Sequence, residues 1–411
     1  MSKSDKRNVA ILSLIICWMF YLYIYVIRVE PSVLTNDLIS EFGITSSVLG
    51  TIVSIAYVPY VIMQIPYGII TDKLGAKTIV LVSCALLIIG TFLFGSAESL
   101  TQLKAGRFLV GLASAPGFIC CSKVITDLFE LKKQSMLMGI AMCLGCFGGI
   151  LGATPTACLV NSIGWRNATY AIASFGILLI VLALLFMKNN KSEKTEARVF
   201  DGLKIILKNS KIWIVGLYGA MSYLTLSALA ELWITPFIEK RFEISTAKAA
   251  VSSIFIFIGF GLGSIVSAWI AEKINSHKKT IIIFSVASIF LFWSALYSDA
   301  INFYTCLALL FAGGVCTGAN ILAFPIAYRY VPQEFGGTAA GFMNAIIMSS
   351  GIVFQPLLGK LLDFFRNGLV TLEGHPLYNV AMYRSAFLFF IGTTIVATVF
   401  AFCIKENAAR K

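Results

Sequence analysis

Residues 46–77 read SSVLGTIVSIAYVPYVIMQIPYGIITDKLGAK, and this stretch decides the fold. Residues 46–70 carry no charge. A helix needs about 20 predominantly apolar residues to cross the roughly 30 Å hydrocarbon core of a bilayer. The run then stops abruptly at Asp72, Lys73 and Lys77, with Gly68 and Gly75 around them. An apolar span ending on a short basic loop predicts a membrane crossing with its loop on the cytoplasmic side.

The same pattern fills the chain. Of 411 residues, 58% are hydrophobic and 13% charged, against about 25% charged in soluble globular proteins. A soluble enzyme, a disordered chain and a nucleic-acid-binding domain are excluded on that ground. Twelve apolar runs are long enough to span, at roughly 9–32, 46–70, 78–97, 102–126, 135–160, 166–187, 211–237, 247–271, 280–298, 301–328, 338–362 and 381–404. The expected fold is therefore all-α and integral to the membrane, with twelve transmembrane helices in two pseudo-symmetric bundles of six. Residues 1–187 form the first bundle, 188–210 a cytoplasmic interdomain loop and 211–411 the second. Within the loop, residues 199–207 are expected to form a short amphipathic helix on the membrane surface.

The net charge of +12 reports topology rather than a nucleic-acid partner. With the N-terminus inside, inner segments hold 21 of the 32 Lys and Arg and outer segments nine. Both termini are thus expected in the cytoplasm, in a multi-pass protein of the inner membrane. No cleavable signal peptide is expected, because the run after the basic N-terminus is too long and lacks a small-residue cleavage site. The ten cysteines mostly lie in apolar runs; even Cys143 and Cys146 read as small packing residues.

An internal repeat supports the two halves. Asp72-Lys73-Leu74 after the second span is echoed by Glu272-Lys273-Ile274 after the eighth. At these residues the chain resembles the major facilitator superfamily. The Gly68, Asp72, Lys73, Gly75, Lys77 pattern is similar to that family's signature loop between helices two and three. Gly106-Arg107 with Gly111 resembles its Gly-Arg-x-x-x-Gly element. The resemblance implies a conformational latch of Gly68, Asp72, Lys73, Gly75, Lys77, Arg107 and Asp127 that favours the outward-facing state. In physical terms, Gly68 and Gly75 permit close backbone approach and a tight turn, Asp72 suits a helix N-terminus, and Lys77 can pair with Asp127.

Ionisable groups deep in a span are costly and mark function first. Arg28 and Glu30 in span one and Glu231 in span seven are the notable cases. His277 and His375 fall in loops, so no intramembrane histidine relay is expected. The region around Arg28 resembles the organophosphate:phosphate antiporter and organic-anion branch, in which a helix-one arginine contacts the substrate's anionic group. The residues Trp18, Phe20, Tyr21, Tyr23, Arg28, Pro31, Ser32 and Val33 also resemble the phagosomal nutrient transporters of intracellular bacteria. Arg28 offers a bidentate fork to a carboxylate or phosphate; the alternative is an outer-end arginine snorkelling or paired with Glu30. The phosphate branch's second arginine, in helix seven, has no counterpart here: span seven has no Arg, and the only charge over residues 212–237 is Glu231. One Arg and one Glu suit a zwitterion, and Glu231 is alternatively the proton carrier or a structurally satisfied carboxyl. Further candidates for the substrate cavity are Tyr25, Tyr57, Tyr60, Gln64, Trp233, Asn320, Asn344 and Gln355.

The sequence has no P-loop, so a proton gradient is expected to drive transport, and no cofactor or metal is expected. The leading expectation is a monomeric secondary transporter in the lipid bilayer, not an enzyme. It would import a small zwitterionic or anionic, amino-acid-like nutrient by alternating access. The glycines of span five, Gly139, Gly145, Gly148, Gly149 and Gly152, leave open the alternative of an exporter or antiporter of an organic anion, siderophore or drug. The topology is tested by fusions: alkaline phosphatase fused after Asn161 should be active and after Lys411 inactive. The reverse pattern overturns the orientation.

Overall fold

The computed structural model describes residues 3–188, 197–332, 335–366, 369–370 and 376–405. Helices long and apolar enough to cross a membrane run Asn8–Ser32, Ser46–Thr71, Ala76–Gly95, Leu100–Leu128, Leu137–Ile163, Trp165–Phe186, Ser210–Phe242, Thr246–Lys273, His277–Tyr297, Phe303–Tyr328, Thr338–Arg366 and Val380–Cys403. They are numbered here as spans one to twelve. The described residues contain no strand, only an isolated bridge between Val370 and Pro376. A helix also forms over Ala197–Leu207 in the interdomain segment, with Ile206 buried and Gly202 against the Phe335 ring. His375 and residues 189–196 lie outside the described residues.

The surface is inverted relative to a soluble protein. Phe92, Leu185, Trp269, Phe290 and Phe364 point outward, while Arg28, Glu30, Arg107, Lys123 and Glu231 are buried. This is the arrangement hydrocarbon imposes: apolar side chains toward lipid, charges toward protein. The chain divides into two compact units. The first is 1–34 with 52–195, and the second 35–51 with 196–411. The segment between spans one and two and the first turns of span two thus belong to the second unit.

Four departures from regular α-helix lie at or just before a proline, whose ring clashes with the carbonyl four residues earlier and removes that carbonyl's donor, whereas Pro66 and Pro356 are carried within continuous helix. In span two, Pro59 stands four residues after Ile55. The helix Ser46–Ser54 stops there and resumes at Tyr57, and the Ile55 carbonyl accepts instead from the Val58 N–H at 3.1 Å. In span five, Pro155 stands four after Leu151, whose carbonyl takes the Thr156 hydroxyl at 2.9 Å. In span ten, Pro325 follows a 3-10 turn over Gly318–Leu322. In span seven, Pro236 follows a π-helix over Thr225–Trp233. The π-helix of span seven is wholly buried, where neighbouring groups can satisfy the released backbone.

The repeat extends to backbone conformation at an offset of 200 residues. Gly43 has φ 59° and Glu243 φ 51°; Gly75 has φ 82° and Asn275 φ 50°. The first pair closes two equivalent helices with the same i to i+5 bond, Ile44 N–H to the Ile39 carbonyl at 3.2 Å and Ile244 N–H to the Glu239 carbonyl at 3.3 Å. This is the 6→1 bond of a Schellman cap. Gly75, with ψ 153°, occupies a region essentially confined to glycine, so the tight turn expected there is present. Gly68 differs from expectation: a Cβ there would meet nothing within 4 Å, so no close approach requires it.

A polar clamp holds the start of span two within the second unit. The Asp363 carboxylate accepts from the Ser47 N–H at 2.8 Å and from the Tyr378 hydroxyl at 2.5 Å, and that hydroxyl accepts from the Ser46 N–H at 2.8 Å. Gly359 lets span eleven reach the Ser46 carbonyl. The acid sits at a helix N-terminus, where the macrodipole and orphan N–H groups favour an anion. Asp363→Ala should cost about 1–2 kcal/mol, read as a fall of several degrees in the melting temperature of the purified protein. An unchanged melting temperature would refute the clamp.

Candidate functional site

The break in span two brings Tyr57 to Arg28. The Tyr57 hydroxyl accepts from Arg28 Nη2 at 2.9 Å and Nε at 3.3 Å. The guanidinium carbon lies 4.7 Å from the Tyr57 ring centre, 5.2 Å from Tyr25 and 5.6 Å from Tyr60. All four residues are buried. Three aromatic faces around one cation supply cation–π attraction in a desolvated setting and confine a flexible side chain to one place. Three of the expected site residues, Tyr25, Tyr57 and Tyr60, are therefore gathered on Arg28.

Glycines of span five set the position of this group. A Cβ on Gly148 would meet the Leu22 carbonyl of span one, and one on Gly152 would lie 2.6 Å from the Val26 carbonyl. One on Gly145 would lie 2.8 Å from the Tyr21 ring. Small residues here let the two backbones touch, and Tyr21 and Tyr25 lean on the resulting surface with ring centres 5.2 Å apart. Gly139, by contrast, faces open space. Gly111 does the same for span four, admitting the Ala56 carbonyl at the break that precedes Tyr57.

Glu30 takes a different partner. Its carboxylate accepts from the Thr169 hydroxyl of span six at 2.6 Å and lies within electrostatic reach of Arg107. Arg107 donates to the Ile27 carbonyl at 3.1 Å and sits 6.0 Å from the Phe94 ring. The structure therefore places Arg107 beside span one, with Glu30, rather than with the inner loop of the expected latch. Gln64 donates to the Ala115 carbonyl at 3.3 Å, tying span two to span four.

At the inner end of the first unit the expected pairing of Lys77 with Asp127 is corrected. Asp127 forms its ion pair with Lys123 one helical turn earlier, at 3.1 Å, and Lys77 donates to the Leu184 carbonyl at 3.0 Å. An i,i+4 partner on the same helix is the nearer and costs no interhelical alignment. Lys73 is exposed, and the side chain of Asp72 lies outside the described residues.

In the second unit, Glu231 is fully buried within the π-helix of span seven. Trp233 donates through Nε1 to the Gln355 carbonyl at 3.3 Å, and Gln355 donates through Nε2 to the Ser227 carbonyl at 2.5 Å. Ser227 and Ser350 share a hydroxyl contact of 2.9 Å, and Ser253 donates to the Ala230 carbonyl at 2.5 Å. Asn320, in the 3-10 turn of span ten, donates to the Gly219 carbonyl at 2.7 Å. Asn344 is half-buried. Trp233, Gln355 and Asn320 thus hold backbone in place around Glu231 and span seven. Sequence reasoning missed Thr169, Ser227, Ser253 and Ser350; single hydroxyls in apolar runs carry no pattern. The π-helix had one signal, Pro236 four residues after Leu232.

Gly148→Val should force spans one and five apart and displace the tyrosines around Arg28. The expected result is a lower melting temperature and at least a tenfold loss of transport, with Gly139→Val near normal. Equal tolerance of both changes would refute the role given to the glycines.

Comparison with known proteins agrees with this architecture. The chain is 22% identical to a probable sulfoacetate transporter of Cupriavidus necator, over 85% of this chain and 86% of that one. It is 24% identical to a gentisate transporter of Corynebacterium glutamicum, over 87% of this chain and 82% of that one. A bacterial homologue of the human lysosomal transporter Spinster, crystallised in an inward-facing and unoccupied conformation, superposes with a TM-score of 0.82 at 15% identity, covering 98% of each chain; at that identity the likeness shows the fold alone. The sequence profile described as Major Facilitator Superfamily matches residues 9–356. Twelve spans, the repeat and that match together place the chain in the Major Facilitator Superfamily, a family of multi-pass membrane transporters.

Proposed function

We propose that this transporter takes up a small organic anion, one bearing a carboxylate or sulfonate, together with protons moving down their gradient and by alternating access. The observation that carries the reading is the caged Arg28. A guanidinium stays charged and presents parallel donors matched to a two-oxygen anion. The Tyr57 hydroxyl on those donors is a neutral acceptor. A charge-assisted bond is roughly twice as strong as a neutral one, so an arriving anion displaces the hydroxyl and leaves the aromatic walls to hold its apolar part. The names of the two relatives, for sulfoacetate and gentisate, support an anion over a cation or neutral sugar. Amino acids fall within the class through their carboxylate.

Glu231 is the coupling group in this reading: a carboxyl held inside an apolar span is the kind of group that exchanges a proton as its surroundings change. The protein acts as a monomer in the inner membrane with both termini cytoplasmic.

The test is uptake into proteoliposomes of a labelled panel of amino acids, gentisate, sulfoacetate and glucarate. Arg28→Ala should abolish uptake with the protein still folded, and Arg28→Lys should weaken apparent affinity by about tenfold, since a charged hydrogen bond contributes about 1.5–3 kcal/mol. Glu231→Gln should lose gradient-driven accumulation but keep substrate exchange. Normal uptake by Arg28→Ala overturns the anion site, and efflux alone, without uptake, overturns the direction.

A further inference from the structure

Span seven is π-helical from Thr225 to Trp233, and all nine residues are buried. Its i to i+5 bonding is seen where the Ile234 N–H reaches the Leu229 carbonyl. π-Helices are rare and usually confined to a single turn, often at functional sites. A longer one needs support from outside the helix. Here the support comes from two neighbouring spans and brackets Glu231. Span eight supplies the Ser253 hydroxyl to the Ala230 carbonyl, the residue just before Glu231. Span eleven supplies Gln355, whose side chain holds the Ser227 carbonyl and whose own carbonyl accepts from Trp233.

We propose that Ser253 and Gln355 are positioning residues that hold span seven π-helical around Glu231, and that releasing them lets the segment re-form as an α-helix during transport. The proposal rests on Glu231 being the coupling group. Each residue of register exchanged between the two forms turns the side chains on one side of it by about 100° around the axis and shifts them by about 1.5 Å. Glu231 would therefore face different neighbours in the two forms, as a coupling group must. A two-state element of this kind needs room in an otherwise close-packed interior. The structure provides some at the segment's first turn, where Ser222, Thr225, Ser285, Ser288, Thr317 and Thr394 line a cavity of about 10 Å³. That is about the space of one water. Several of its hydroxyls already donate to carbonyls of their own helices, Ser288 to Ser285, Thr317 to Gly313 and Thr394 to Phe390. They therefore present lone pairs to the cavity. A water there, or a π-segment N–H released on conversion, is the donor such a lining accepts.

The experiment measures amide hydrogen exchange by mass spectrometry on the purified full chain. It compares the unaltered protein with Ser253→Ala, Gln355→Met and Ser253→Thr. Exchange over residues 225–235 should rise about tenfold in Ser253→Ala and in Gln355→Met, with residues 212–222 unchanged, and return to normal in Ser253→Thr, which keeps the hydroxyl. In proteoliposomes, gradient-driven uptake of [14C]gentisate and of a [14C]-labelled amino-acid mixture should fall at least tenfold in the two weakened variants. Counterflow of the same probes by Ser253→Ala should stay within twofold. Unchanged exchange over 225–235, or Ser253→Thr behaving as Ser253→Ala, overturns the lock. If Glu231→Gln uncouples but the two weakened variants do not, the lock fails and the coupling reading stands. If Glu231→Gln leaves gradient-driven uptake intact, the coupling reading fails, and the exchange measurement still decides whether the lock exists.

Discussion

Hydrocarbon offers no hydrogen bonds, so every backbone N–H and carbonyl within a span must find its partner inside the protein. Regular α-helix meets that demand unaided, and most of each span is regular. The informative places are those where it is not. Proline forces the departure, and a neighbouring group then takes the released carbonyl: the Val58 N–H at Ile55, the Thr156 hydroxyl at Leu151. In span seven the helper groups are Ser253 and Gln355. The polar residues of this interior are thus chiefly servants of irregular backbone, and the irregular backbone in turn carries Tyr57, Asn320 and Glu231.

The same constraint governs the charges. Arg28 is enclosed by aromatic faces and a phenol, and Glu30 is held by a hydroxyl beside Arg107. The first of these stands on close helix contact. Gly145, Gly148 and Gly152 let span five lie directly on span one, and Gly111 lets span four meet the break in span two. With span five closed against it, span one carries Arg28 toward Tyr57 and Tyr60. Packing of the smallest residue type therefore orients the largest and most costly one.

The spans, the two-fold repeat and Arg28 as a charge inside a span were legible in the sequence because each rests on a pattern that hydrocarbon enforces: apolar length, basic loops and the rarity of buried charge. Tyr57 and Tyr60 were legible as aromatic residues of the next span. The partner of Asp127 was not, since Lys123 and Lys77 are equally plausible until the helix ends are placed, and the nearer residue on the same helix prevailed. The partners of Arg107, the Ile27 carbonyl and Glu30, were not legible, because a motif fixes a residue's neighbours in sequence but not in space. Trp233, Asn320 and Gln355 stood out as polar or amphipathic residues in spans, and their hydrogen bonds, which run to backbone, were not legible. The need for those bonds arises only from a π-helix and a 3-10 turn that periodicity cannot reveal. In each case Pro236 and Pro325 were the overlooked marks.

The left-handed closures at Gly43 and Glu243 have a thermodynamic asymmetry behind their equal geometry. Glycine enters that conformation freely but brings a large unfolded-state entropy that must be given up on folding. Glutamate surrenders less entropy but sits in a region that costs an L side chain about 1–2 kcal/mol. The first copy of the repeat thus bears its cost in the unfolded ensemble and the second in the folded one. Two halves with the same turn will accordingly respond unequally to the same exchange: an alanine strains the first and changes the second almost not at all.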